Sequence, residues 1–316
     1  MNIVPTIDLE KAEADASLLE PLDKACRDHG FFLLKNHGIQ SAIDDMWAAS
    51  EWFFNQPKDW KRQILRTEDV PLGYYDRELT KRQRDLKEVF DYMQPRADGS
   101  DVNQWPEDAR AFRQSMELFF NAASDVAART LNLVYRALAD ASVDGLPPGS
   151  ARTSTVRLNC YPLADPLDSN EQTTVAGLGD MALHHHTDPG VLTLLLQDMT
   201  GGLQAKSASQ GWIDVPPEED TIVVNLGDVM QVWSNDNYVA AVHRVVPMTE
   251  VTRYSTPYFY NPLNDAVLEP LSQLSSQPAQ YQSFTWREYI KGRVDDNYAD
   301  LGEDDIQIDR FRVQSA

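Results

Sequence analysis

Cysteine is nearly absent. The 316-residue chain has two, Cys26 and Cys160, which build no disulfide framework and suggest no zinc cluster. Positive charge is short as well. Lys and Arg total 28 against 49 Asp and Glu, a formal charge of −21. Unaided binding to nucleic acid or to an anionic membrane needs a positive footprint, so this balance argues against both. No apolar run approaches the ~20 residues that span a bilayer. The stretch MNIVPTIDLEKAEADA at the N-terminus has neither a basic flank nor an apolar segment, and does not read as a secretory signal. No internal repeat is present. What remains is 42% apolar and 24% charged, ordinary for a folded soluble protein. The expectation is a soluble, cytoplasmic chain.

Residues 9–29 predict a helix. Leu18, Leu22 and Cys26 recur at helical spacing, and Gly30 stands where a C-terminal cap belongs. Cys26 reads as a core residue. The apolar run between Gly30 and Gly38 reads as a buried strand. A helix is expected from Ser41 to Pro57, with Ile43, Met46, Trp47, Ser50 and Phe54 as its inner stripe. Residues 60–100 are polar and mixed in sign. Tyr74, Tyr75, Lys87 and Phe90 lie there without an assignable role, and 85–91 reads as a solvated strand and turn. A long helix is expected from Pro106, which suits a first helical position. Its stripe is Phe112, Met116, Phe119, Ala123, Val126, Val134 and Leu138, and Gly145 to Gly149 breaks it.

From about 152 to 260 the texture changes. Short β-branched and aromatic segments (153–161, 191–197, 221–225, 229–233 and 254–260) alternate with turn clusters. Strands at this spacing suggest a sandwich or barrel of jelly-roll type. Residues 271–280 read as a linker. Thr285-Trp286-Arg287-Glu288 is a capping box opening a final helix. The tail at 295–305 carries six acids and reads as a solvated surface.

Three patterns in the strand-rich half carry chemistry: His186-Thr187-Asp188, His243, and Arg253-Tyr254-Ser255. Side chains alternate faces along a strand, so His186 and Asp188 share a face, as do Arg253 and Ser255. Two imidazoles and one carboxylate on one face of a metal leave three octahedral positions open, the signature of non-haem Fe(II) oxygenases. Arg253 can grip a carboxylate with two bonds, and Ser255 adds a hydroxyl. Together they suit the far carboxylate of a dicarboxylate co-substrate. By the same alternation Arg157, Asn159 and Tyr161 share a face, and the Tyr161 phenol could add a donor. A lone His-x-Asp is weak among six histidines; the combination is strong.

The chain resembles the isopenicillin-N-synthase-like family of Fe(II)/2-oxoglutarate-dependent dioxygenases. The likeness extends from His186 through Gly190 into 191–198 and Gly201-Gly202-Leu203-Gln204. It includes 224–228, 233–236, and Gly30-Phe31-Phe32 with Asn36-His37-Gly38. The resemblance implies that His186, Asp188 and His243 bind Fe(II). It implies that Arg253, Ser255 and Tyr161 hold 2-oxoglutarate, with Asn159 close by. O2 is then a second co-substrate, and ascorbate a candidate reductant. His184 and His185 lack an Asp two positions on and are not expected as ligands, and His37 reads as a packing residue.

The implied fold is mixed α/β with a mainly β core, a double-stranded β-helix (jelly roll) flanked by N-terminal and C-terminal helices. One domain is expected over 1–316. It comprises a mixed region at 1–105, the long helix at 106–150, the catalytic core at 151–265 and a linker and helix at 266–316. The implied reaction is oxidation of an unactivated C–H bond in a small metabolite, as hydroxylation, desaturation or oxidative cyclisation, with release of succinate and CO2. The expected substrate belongs to secondary metabolism and is carboxylate-bearing or phenolic. Arg157 is the candidate for its carboxylate and Phe259 for a further contact. Two alternatives stay open: an iron oxidase on this scaffold that uses no 2-oxoglutarate, and a non-catalytic binding protein.

Overall fold

A computed structural model of the chain describes residues 3–67, 69–80, 83–139, 144–294 and 306–314. The acidic stretch at 295–305 lies outside them. After β1 (Thr6–Asp8) the helix expected over 9–29 is broken in two. α1 (Leu9–Ala14) stops at Asp15, which is extended and accepts a hydrogen bond from the Ser17 N–H. An Asp there caps the next turn instead of continuing the last. α2 (Glu20–Asp28) restarts with Pro21 in its first turn. Gly30 follows at φ +71° and leads into β2 (Phe31–Lys35). α3 (Gln40–Phe54) buries Ile43, Met46, Ser50, Phe53 and Phe54; Trp47 is half-buried and Phe53 takes its expected place.

After α4 (Lys58–Lys61) come β3 (Gly73–Tyr75), β4 (Leu79–Thr80), β5 (Gln83–Arg84) and β6 (Glu88–Met93). Here the structure corrects the expectation of a solvated strand: Asp85, Lys87, Glu88, Val89, Phe90 and Asp91 are all buried. Their charges are paired inside the fold, so polarity did not signal exposure. α5 (Arg110–Leu138) begins four residues after Pro106 and buries the expected stripe as far as Val134.

The second half runs β7 (Gly149–Tyr161), α6 (Ser169–Gln172), β8 (Leu183–His186), β9 (Leu192–Gln197), β10 (Leu203–Ser207), β11 (Gly211–Asp214) and β12 (Ile222–Leu226). Then follow α7 (Asp228–Trp233), β13 (His243–Val245), β14 (Arg253–Pro262), β15 (Val267–Leu268), β16 (Phe284–Thr285) and α8 (Trp286–Val294). The expected strand at 229–233 is therefore the helix α7. The chain turns at Gly227, where the N–H groups of Asp228 and Val229 bond the carbonyls of Asp188 and Gly190. A Cβ on residue 227 would lie 2.2 Å from the Gly190 oxygen, so only glycine fits. Being buried almost all round, α7 shows no amphipathic period and reads as a strand. Thr285 accepts from the Glu288 N–H at the start of α8.

Two sheets face each other. The larger has the order β1-β2-β12-β9-β14-β7-β6-β3 and the smaller β11-β10-β13-β8. Only β1 and β2 pair in parallel among these described strands. This is a jelly roll, with helices packed on the outside of the larger sheet. Its strands are buried on both faces, as their unbroken apolar runs require. Phe32, Leu34 and Val224 join the helix-side core, while Phe31, Leu33, Val223 and Leu195 point toward the smaller sheet. Register sets the inner face. Arg253 pairs with Tyr161, Ser255 with Asn159 and Gln197, Phe259 with Thr155 and Thr193, and Thr193 with Asn225. In the smaller sheet His243 stands opposite His186. No described helix is long and apolar enough to cross a membrane.

Candidate active site

His186, Asp188 and His243 converge: one ligand atom from each lies within 4.8 Å of the others. Both imidazoles are oriented by the backbone. Nδ1 of His186 bonds the His184 carbonyl at 2.8 Å, and Nδ1 of His243 bonds the Ala241 carbonyl at 2.9 Å. Each Nδ1 is therefore the donor, which leaves Nε2 as the atom each ring turns toward Asp188. Those two Nε2 atoms lie 3.6 and 3.8 Å from Oδ1 of Asp188. The other oxygen, Oδ2, is held by Thr193 Oγ1 at 2.6 Å and Asn225 Nδ2 at 2.8 Å. Burial and the neighbouring His243 push the His186 imidazole down to about 3, so it is neutral and able to ligate. Burial works against the Asp188 charge, but the two imidazoles, Thr193 and Asn225 hold its carboxyl below the usual range. Two imidazole nitrogens and one carboxylate oxygen aimed at one point form a metal-binding set.

Along the inner face of β14 the second arm begins. Arg253 is fully buried. Its Nε donates to the Gly201 carbonyl at 2.7 Å and one terminal nitrogen reaches Gln197 at 3.5 Å. The other terminal nitrogen is buried with no partner among the described residues. The guanidinium lies over the Tyr161 ring at 5.0 Å. Asn159 donates to the Ser255 hydroxyl at 3.3 Å. A buried guanidinium without a carboxylate is costly; one aimed into a cavity beside a hydroxyl and a phenol is arranged for an anion.

Both arms open into one cavity of about 350 Å³. Phe259 and Pro257 line it from β14, and Leu72 and Leu79 from the 66–91 region. Arg157 lines it too, but not as a lone cation. Asp91 grips it with both oxygens at 2.7 and 2.9 Å, and Glu78 binds it at 2.8 Å. α8 closes another side through Ile290 and Arg293. Arg293 donates to the Thr187 carbonyl, between the two ligands of the His-x-Asp segment, and Tyr289 donates to Asp228, both at 2.6 Å.

All nine residues singled out from sequence line this cavity. Two of the histidines not expected as ligands have partners of their own. His184 bonds Asp85 at 3.2 Å, and His37 accepts from the Ile39 N–H. Sequence reading missed Thr193, Asn225, Glu78 and Asp91. For the first two a signal existed: a lone polar residue in each of the apolar runs 191–196 and 222–226. For the others none did, because their partners are distant in the chain.

Two family models match. Residues 153–262 match the 2OG-Fe(II) oxygenase superfamily, and residues 4–108 the non-haem dioxygenase in morphine synthesis N-terminal model. Gibberellin 2-beta-dioxygenase 4 of Arabidopsis thaliana is 30% identical over 98% of this chain and 95% of its own length. Homoarginine-6-hydroxylase 2-ODD-C23 of Glycine max is 30% identical over 92% and 93%. Among solved structures, a full-length Neurospora crassa protein in complex with alpha-KG superposes with a TM-score of 0.77 at 28% identity, over 91% of this chain and 94% of that one. JOX2 in complex with 2OG, Fe and JA gives 0.76 at 26%, over 91% and 84%.

Proposed function

The chain belongs to the 2OG-Fe(II) oxygenase superfamily and is an Fe(II)- and 2-oxoglutarate-dependent dioxygenase; from that premise we propose which residues do the work. His186, Asp188 and His243 hold the iron. Arg253, Ser255 and Tyr161 hold the far carboxylate of 2-oxoglutarate, with Asn159 fixing the Ser255 hydroxyl. The observation that carries the reading is the buried guanidinium nitrogen of Arg253 that has no partner among the described residues, on the larger sheet and lining the same cavity as the oriented imidazoles of the smaller one. A site built to leave that donor empty fits an anionic co-substrate, and a zinc hydrolase would give it no task.

Iron, 2-oxoglutarate and O2 together supply the oxidant that takes a hydrogen atom from a C–H bond. The chain supplies placement. Thr193 and Asn225 fix the Asp188 carboxylate so that a single oxygen faces the imidazoles. The buried walls exclude water. Phe259, Pro257 and Arg157 border the space for the prime substrate, a small molecule whose reacting carbon they hold toward the metal.

Removing Asn225 as Asn225→Ala, or Thr193 as Thr193→Val, should weaken Fe(II) binding by about 10–100-fold, since partners that orient metal ligands carry effects of that size. Anaerobic metal titration reads it; unchanged affinity in both variants would remove their role. The functional test is succinate formation with Fe(II), O2 and 2-oxoglutarate across pools of small metabolites, with product masses read in parallel. A pool that stimulates succinate and yields a product gaining one oxygen or losing two hydrogens supports the reading. Substrate oxidation without succinate would place the chain with an oxidase that dispenses with 2-oxoglutarate.

A further inference from the structure

α8 turns one helical stripe inward. Trp286, Tyr289, Ile290 and Arg293 recur three and four residues apart, the spacing of a single helix face. All but the half-buried Ile290 are buried. Trp286 and Tyr289 join the apolar core, while Ile290 and Arg293 reach the cavity. The stripe therefore ends on a cation beside the metal ligands. Arg287 and Lys291 on the same helix are exposed, the ordinary place for a charge.

Five cations line the cavity: Arg66, Lys87, Arg157, Arg253 and Arg293. Three are held on one wall. Arg66 and Arg157 pair with Glu78 and Asp91. Lys87 pairs with Glu78 and with Asp85, which lies behind the lining and also takes His184. Arg253 faces the far carboxylate of 2-oxoglutarate in the reading above. Arg293 differs from these four. It is 8% exposed, and no carboxylate among the described residues forms an ion pair with it. One terminal nitrogen donates to the Thr187 carbonyl at 2.6 Å, which ties the guanidinium to the backbone between His186 and Asp188. Its other four N–H groups have no acceptor among the described residues. Asp228 is close enough to feel the charge but not to pair with it, and gives an oxygen to the Tyr289 hydroxyl instead.

We propose that the prime substrate carries a carboxylate and that Arg293 receives it, at the α8 end of the cavity. The proposal rests on the dioxygenase assignment above and names the substrate class for that site. A buried cation without a counter-charge is costly. A neutral carbonyl could also accept the free N–H groups, but only an anion neutralises the guanidinium in a largely buried space, and charge-assisted bonds are about twice as strong as neutral ones. Phe259, Pro257 and Ile290 offer apolar surface for the rest of the molecule. The carboxylate expected from sequence is kept. Its receptor moves from Arg157, which Asp91 and Glu78 already hold, to α8.

Equilibrium dialysis under nitrogen tests this, with protein loaded with Fe(II) and 2-oxoglutarate. The probes are acid and amide pairs of matched size: cinnamate with cinnamamide, indole-3-acetate with indole-3-acetamide, and hexanoate with hexanamide. At least one acid should bind, and at least tenfold tighter than its amide. Arg293→Gln keeps an N–H for the Thr187 carbonyl and loses the charge. It should cut acid affinity at least tenfold and leave amide affinity and 2-oxoglutarate retention unchanged; a merely structural role would lower both members of a pair alike. Arg293→Lys should recover part of the acid preference. Acids binding no tighter than their amides, no acid binding, or an acid preference that survives Arg293→Gln would overturn the proposal. The first of these results is also what capture of the guanidinium by the chain's own acids at 295–305 would give. Loss of 2-oxoglutarate from the wild-type protein in the same dialysis would instead strike the assignment on which the proposal rests.

Discussion

Asp188→Ala should leave the protein folded but unable to hold Fe(II), with succinate formation at background. Asp188 is the single anion among the three converging donors, and its second oxygen is anchored by Thr193 and Asn225. Partners one layer out are worth about 10–100-fold in affinity. A direct, charged ligand should cost more, on the order of 10³-fold, or about 4 kcal/mol. Asp188→Asn should fail nearly as badly, because it keeps the shape and loses the charge. Melting of the metal-free protein serves as the control for folding. Iron titration with undiminished affinity in both variants would remove Asp188 from the metal site.

Arg253→Leu should act on 2-oxoglutarate and leave iron affinity intact. The guanidinium is fully buried and keeps a nitrogen without a partner among the described residues. Truncating one member of a buried, hydrogen-bonded charge pair costs about 2–5 kcal/mol, roughly 30- to 4,000-fold in affinity. The loss should fall on KM for 2-oxoglutarate, with kcat at saturation changed far less, since this contact is the same in ground and transition states. Arg253→Lys should recover only part, because a point charge cannot replace the fork. A 2-oxo acid lacking the far carboxylate gives the counter-test. Wild type should reject it, and Arg253→Leu should treat it and 2-oxoglutarate nearly alike. A variant still favouring 2-oxoglutarate by the wild-type margin would show that Arg253 holds something else.

The chemistry was legible where it is local. His186 and Asp188 are two residues apart, as are Arg253 and Ser255, and period-two alternation alone puts each pair on one face. The register then sets Ser255 opposite Asn159 and Arg253 opposite Tyr161, bringing together residues that are nearly a hundred positions apart. The strand-rich half was legible for the same reason, since its apolar runs are short and bounded by turns. The illegible parts depend on contacts across the chain. α7 has no exposed face to give it a helical period. Asp15 breaks the first helix through one side-chain bond, which no apolar pattern records. Asp85, Lys87 and Asp91 read as solvated because charged residues usually are. Their burial becomes explicable only when Arg157 from β7 and Arg66 from before β3 stand beside them. Arg66, Lys87, Asp91 and Arg157 line the cavity, which is why the reaction class could be read from the sequence and the surroundings of the substrate could not.

The most direct measurement is the fate of labelled oxygen. Protein with Fe(II) and 2-oxoglutarate is exposed to 18O2, and the succinate is weighed. The account predicts succinate carrying one 18O atom, formed in step with loss of 2-oxoglutarate and abolished by Asp188→Ala. Consumption of O2 with 2-oxoglutarate untouched, or succinate without label, would contradict it.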